Sequence, residues 1–114
     1  MTNKPERSAT ILAPADAAVM PQPPDNLATP ILAREGVEVE YYAPRAKDAQ
    51  TPHARDEVYF VARGGGEFVT ASGRKQIAAG DYIFVPAWAE HRFERFSADF
   101  ATWVVFFGPE KPEP

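Results

Sequence analysis

Between Val37 and Phe107 the apolar positions come in short runs broken by glycine, the pattern of strands and turns. Val37-Glu38-Val39-Glu40-Tyr41 and Glu67-Phe68-Val69-Thr70 alternate with a period of two, and β-branched or aromatic residues fill Val58-Tyr59-Phe60-Val61 and Tyr82-Ile83-Phe84-Val85. Turns are expected at Gly64-Gly65-Gly66, read as a hairpin, at Ser72-Gly73 and at Gly80-Asp81. The last run, Phe100 to Phe107, is apolar on both faces and is expected to be central or covered. Roughly eight strands spaced about ten residues apart, with no 3.6-residue stripe between them, predict an all-β antiparallel sandwich or barrel in which helices are nearly absent.

The proline and aromatic distributions divide the chain. Six of the 12 prolines fall in residues 1–30 and three more in 109–114, whereas every Phe, Trp and Tyr lies from Tyr41 to Phe107. Residues 1–30 are therefore read as an extended, partly ordered arm, 31–109 as the folded body and 110–114 as a tail. Thr10-Ile11-Leu12 is a candidate to dock on the body or on a partner subunit.

A length of 114 residues suits one domain, and 45% hydrophobic content supports a real core. Twelve Lys+Arg against 16 Asp+Glu, mixed along the chain, leave a net charge of −4 and no basic stripe, so nucleic acid is not an expected partner. Zero cysteine excludes a disulfide framework, a zinc ribbon and a thiol nucleophile. The apolar stretch Ile11 to Met20 is broken by Pro14 and Asp16, which makes a poor signal peptide and too short a span for a bilayer. A soluble, cytoplasmic protein without a membrane partner is expected.

Chemistry centres on the only two histidines, His53 and His91, each placed beside an expected strand start. Glu57 follows His53 by four residues. On a straight strand the two would lie roughly 13 Å apart, whereas ligands bound at about 2.0–2.2 Å must converge. A turn at Ala54-Arg55-Asp56, with His53 ending one strand and Glu57 opening the next, brings them together. With His91 alongside, two imidazoles and one carboxylate resemble a facial triad with open positions.

These residues fall into two patterns. Thr51-Pro52-His53 through Glu57 to Gly64 resembles the first cupin motif, G-x5-H-x-H-x3,4-E-x6-G, and Gly80 through Pro86 to His91 resembles the second, G-x5-P-x-G-x2-H-x3-N. Both motifs occur in order, 15 residues apart, and the resemblance covers roughly residues 36–108. The resemblance is to small single-domain cupins of the cupin 2 conserved-barrel type. It implies a double-stranded β-helix (jelly-roll) barrel, commonly a homodimer, with a divalent transition metal (Fe, Zn, Ni or Mn) held in the mouth by His53, Glu57 and His91. Three positions depart from the motifs. Thr51 replaces the first histidine, so Gln50 or water is expected to complete the shell; Trp88 replaces the loop glycine; Arg95 replaces the closing asparagine.

Tyr59 and Phe93, two residues beyond proposed ligands, are expected on the inner face, where core packing already accounts for them. Trp88 is read either as a lid or as a packing contact with a subunit or the arm. Arg95, four residues after His91, is a candidate clamp for a substrate carboxylate, or one half of a surface ion pair. The triple glycine lacks the Lys-Ser/Thr and helix of a phosphate loop, and no serine sits in a nucleophile elbow. Two functions remain: a metal-dependent enzyme on a small organic metabolite, oxygenase-type if iron is bound or an isomerase with other metals, and a non-catalytic binding or sensor module.

Overall fold

The computed structural model describes residues 8–24 and 26–114; the first seven residues of the expected arm lie outside the described residues. Eight strands are described: β1 (Thr29–Arg34), β2 (Val37–Tyr42), β3 (Asp56–Arg63), β4 (Gly65–Thr70), β5 (Gly73–Ala78), β6 (Tyr82–Val85), β7 (His91–Glu94) and β8 (Ala101–Phe107). They form a five-stranded sheet in the order β1-β2-β8-β3-β6 and a three-stranded sheet in the order β5-β4-β7, with every pairing antiparallel. The two sheets enclose one core of Tyr42, Tyr59, Val61, Phe68, Ile77, Val85, Phe93, Phe100 and Val104. Four rings of that core, Tyr59, Phe68, Phe93 and Phe100, meet edge-on or tilted with centroids 4.9–6.1 Å apart, which favours their quadrupoles.

β8 lies centrally between β2 and β3, which explains its continuous apolar run. Pro30 is tolerated because β1 is an edge strand, and the register shifts just after it. The triple glycine is not a hairpin. β3 and β4 belong to different sheets, so Gly64 carries the chain from one to the other with φ +67, while Gly65 and Gly66 already belong to β4. A Cβ on Gly64 would meet Ser97 Oγ at 2.2 Å, and one on Gly66 would meet Phe96 at 2.8 Å, so the glycines serve close approach of the 96–100 segment.

Nor does His53 end a strand. Residues 43–55 carry only an isolated bridge between Arg45 and Lys47, because Pro44 and Pro52 interrupt the run and no partner strand lies alongside. In the arm the buried contact with the body lies at Ala17, beyond Thr10-Ile11-Leu12. Ile11 is 89% exposed, and the chain instead forms one helical turn, α1 (Pro14–Ala18), with Pro14 at its first position and Ala13 N–H donating to Asp16 Oδ2 at 2.8 Å. Ala17 of α1 is fully buried on Tyr41 and Ala101, with Trp103 and Ile31 alongside. No helix among the described residues is long and apolar enough to cross a membrane.

Candidate functional site

Period-two alternation points Glu57, Tyr59 and Val61 of β3 into the barrel, and β7 directs His91 and Phe93 to the same interior. His53 reaches in from the irregular segment before β3. Its carbonyl accepts the Trp88 backbone N–H at 2.7 Å, which ties the two motif segments together. The outcome is a cluster in which ligand atoms of His53, Glu57 and His91 all lie within 4.8 Å of one another. Glu57 Oε1 is 2.7 Å from His91 Nε2 and 3.7 Å from His53 Nε2. Atoms bound about 2.1 Å from one ion sit about 3.0 Å apart at right angles and about 4.2 Å apart when opposite, so both separations fall near that range.

The donors fit a cation for a more specific reason. Glu57 is 1% exposed, and neither of its carboxylate oxygens is aligned to accept a hydrogen bond. A buried carboxylate left in that state costs several kcal/mol. His91 Nδ1 lies 2.8 Å from the Ala89 carbonyl, which can only accept, so Nδ1 carries the proton and Nε2 faces Glu57. A lone pair that close to a carboxylate oxygen calls for a positive charge between them, either a proton or a metal. Accordingly, although burial disfavours the charged imidazole, Glu57, the Ala89 carbonyl and Asp48 together raise the His91 pKa. Burial lowers that of His53.

Gln50 joins this cluster. Its Oε1 lies 3.1 Å from His53 Nε2 and accepts the Tyr59 hydroxyl proton at 3.0 Å, and the Tyr59 oxygen is 3.1 Å from His91 Nε2. Burial, followed by the Glu57 charge, holds the Tyr59 phenol well above its usual pKa, so it stays protonated. Thr51 is exposed and stands apart from these groups. Asp48, which sequence reasoning missed, organises the segment: its carboxylate accepts from Gln50 Nε2 (2.8 Å), Gln50 N (3.1 Å), Phe93 N (2.9 Å) and the Tyr42 hydroxyl. No periodicity marks the residue, because it lies in a loop between two prolines.

A cavity of about 170 Å³ opens beside His53 and Gln50, lined also by Asn26, Leu27, Ala28, Glu40, Tyr42, Val104 and Phe106. Phe93 is buried in the core, as packing predicts. Arg95 is elsewhere: β7 ends at Glu94, Arg95 takes φ +48, and its side chain is 77% exposed, 3.7 Å from Glu67. The strand alternation that would have turned it inward has stopped one residue earlier. Trp88 neither lines this cavity nor covers it. Its backbone has φ +68, and its indole N–H donates to the Lys111 carbonyl at 2.8 Å, which ties the loop to the C-terminal segment.

A family model described as "Cupin domain" matches residues 38–107, more than half of the chain and the span of both motifs. The chain belongs to the cupin family. This cupin is 43% identical over 63 residues to the Streptomyces coelicolor protein SCO3923; the match covers 55% of the chain and 60% of that relative's length. Among solved structures it resembles a cupin 2 conserved barrel domain protein from Salinispora arenicola CNS-205, with a TM-score of 0.65 and 19% identity over 89% of this chain and 91% of that one. It also resembles a Ralstonia eutropha JMP134 protein described as a candidate mannose-6-phosphate isomerase, with a TM-score of 0.57 and 24% identity over 81% and 94% of the two chains. Both likenesses establish the jelly-roll fold of the cupin.

Proposed function

We propose that this cupin binds a divalent transition metal, Fe, Zn, Ni or Mn, through His53 Nε2, Glu57 and His91 Nε2, with Gln50 Oε1 in the place of the missing first histidine. The observation that carries the reading is the buried Glu57 carboxylate, which accepts no hydrogen bond and faces two imidazole nitrogens. When bound, such a metal supplies Lewis acidity, or redox chemistry with oxygen if it is iron. The chain's own residues do the rest. Ala89 fixes the His91 tautomer, the protonated Tyr59 hydroxyl holds Gln50 Oε1, and Phe106 with Val104 wall the adjoining cavity, where a small organic metabolite is positioned and partly shielded from water.

Elemental analysis of protein purified without added metal, repeated on His53→Ala and His91→Ala, tests this reading. One metal per chain in the wild type and loss in both variants is expected; metal content unchanged in both variants rejects the site. Oxygen consumption by the iron-loaded protein with a metabolite distinguishes an oxygenase from other chemistry. The second reading, a binding or sensor module, is favoured by the engagement of the Tyr59 hydroxyl and the His91 Nδ1 proton within the site, which leaves neither free as a general acid or base. Ligand binding without turnover would support it.

We also propose that two copies pair through the outer face of the five-stranded sheet. The register aligns Leu32, Val39, Val105, Val58 and Phe84 in one row across all five strands, and Tyr41, Trp103, Phe60 and Tyr82 in the next. Phe60, Tyr82 and Phe84 are each about half exposed, and neither row contains a charge that would select a different partner.

A further inference from the structure

The side chains that line the cavity beside His53 carry a charge pattern opposite to that needed for a carboxylate or a phosphate. Among its described lining residues Glu40 is the only acid, and there is no lysine or arginine. Arg55, on the turn between His53 and Glu57, is engaged elsewhere: Nη1 is 3.0 Å from Glu38 and Nε donates to the Gly108 carbonyl at 3.0 Å. The register explains how Glu40 enters. Glu40 pairs with Val104 and Val104 with Tyr59, so the three side chains share the inner face of β2, β8 and β3. Glu38, Phe106 and Glu57 form the neighbouring row in the same way.

We propose that this cavity selects a compact organic cation, with Glu40 as the specificity-determining residue that receives the positive end. The proposal rests on the metal-centre reading for the view that this end of the barrel is the functional one. The walls suit such a ligand. Tyr42 and Phe106 present aromatic rings, whose faces attract cations, and Leu27, Ala28 and Val104 cover an alkyl body. Size narrows the class further. A cavity of roughly 150 Å³ encloses a benzene-sized molecule, so about 170 Å³ encloses about six to eight heavy atoms. A hexose phosphate is more than twice that size and would find no lysine or arginine on these walls.

The electrostatics of Glu40 agree with a missing counter-charge. Burial first, then the like charges of Glu38 and Glu57, raise its pKa, and the Asn26 side chain offsets only part of this. A ligand ammonium at Glu40 relieves both influences, whereas a ligand carboxylate would add to them.

The test titrates ¹⁵N-labelled, chelator-treated full-length protein with pentylammonium, 1-pentanol and pentanoate, which share one five-carbon chain. The readout is the shift of the Glu40, Val104 and Phe106 amides. Pentylammonium is expected to bind about tenfold tighter than either of the others. In Glu40→Gln, pentylammonium and 1-pentanol should converge to within about twofold, with the thermal melt unchanged. Equal affinities in the wild type, tighter pentanoate, a preference that survives in Glu40→Gln, or no shift at these amides up to the solubility limit would each overturn the proposal. Zinc titration of the same two proteins is read separately. Retention of zinc affinity in Glu40→Gln confirms that the variant acts on the cavity and not on the metal ligands. Failure of the wild type to bind zinc strikes the reading of His53, Glu57 and His91, and the ammonium preference still decides the role of Glu40.

Discussion

Asp48 Oδ2 accepts the Gln50 side-chain amide at 2.8 Å, and this bond aims Gln50 Oε1 at His53 and Tyr59. A carboxylate can only accept, so it selects the amide orientation that turns oxygen, not nitrogen, toward the proposed metal. Asp48→Ala is expected to weaken zinc affinity about tenfold, as removal of supporting partners around ligands commonly does. It also strips the Phe93 N–H and Tyr42 hydroxyl of their acceptor, at a cost of about 2 kcal/mol in stability. Gln50→Ala separates the two effects. It should reproduce the affinity loss while leaving the Phe93 N–H and Tyr42 hydroxyl bonds to Asp48 in place, at the separate cost of the Tyr59 hydroxyl's acceptor, and the double variant should bind zinc no more weakly than Gln50→Ala alone. Additive losses in competition titrations would show that Asp48 does not act through Gln50.

Glu57→Gln distinguishes a metal ligand from a structural ion pair. If the carboxylate is held for a metal, the neutral amide removes a buried charge that accepts no hydrogen bond, and the metal-free protein, at a pH high enough for His91 to have lost its proton, should melt at the same temperature or higher. The metal-dependent gain, about 4 kcal/mol at a thousandfold excess of metal over Kd, should disappear. If Glu57 serves only to pair with His91, the metal-free variant should instead lose about 3–5 kcal/mol. Chemical denaturation with and without zinc measures both quantities.

The pH dependence follows from the two imidazoles. In the metal-free protein the raised His91 pKa means that its protonated form stabilises the fold fully below about pH 6.5, a contribution lost as pH rises through the folded value. Zinc must displace that proton. Affinity should therefore begin to fall above about pH 6.5 as the solution is acidified, approaching one proton released per metal, while His53, with its lowered pKa, adds its proton only at lower pH. Competition titrations at about pH 8, 7 and 6 check this, and a flat profile contradicts it.

The sequence made the strands and the candidate metal-binding cluster legible because both are written in local spacing. Alternation located β2 and β4, runs of β-branched and aromatic residues located β3 and β6, a run apolar on both faces located β8, and the interval from His53 to Glu57 required the turn that the structure contains. What it left hidden depends on where strands stop and which way they face. Arg95 continues an alternation that ends at Glu94, so its side chain points to solvent. Gly64 to Gly66 has the composition of a hairpin, yet the crowding of Phe96 and Ser97, far along the chain, is what requires glycine there. In β2 the alternation is plain but its direction is not. Glu40 lines the inner cavity while Val37 and Val39 face outward, the reverse of what burial of apolar residues in the barrel alone would give.

That reversal supports the pairing of two copies. An outer face exposed to water would place Glu38 and Glu40 outward and the valines inward. Here the outward positions of β2 continue across β8 and β3 as Val39, Val105 and Val58, and reach the edge strand as Phe84, beside the aromatic row that ends in Tyr82. Helix α1 covers only the part of this face around Tyr41 and Trp103, leaving Phe60, Tyr82 and Phe84 uncovered in the single chain. Light scattering at micromolar concentration should give twice the chain mass of 12.6 kDa. Phe84→Glu, which places a charge in the middle of the paired faces, should shift the mass toward the monomer and raise solubility, with little change in zinc affinity because Phe84 points away from the barrel interior. A monomeric wild type, or a Phe84→Glu dimer as stable as the wild type, would assign the apolar rows another role.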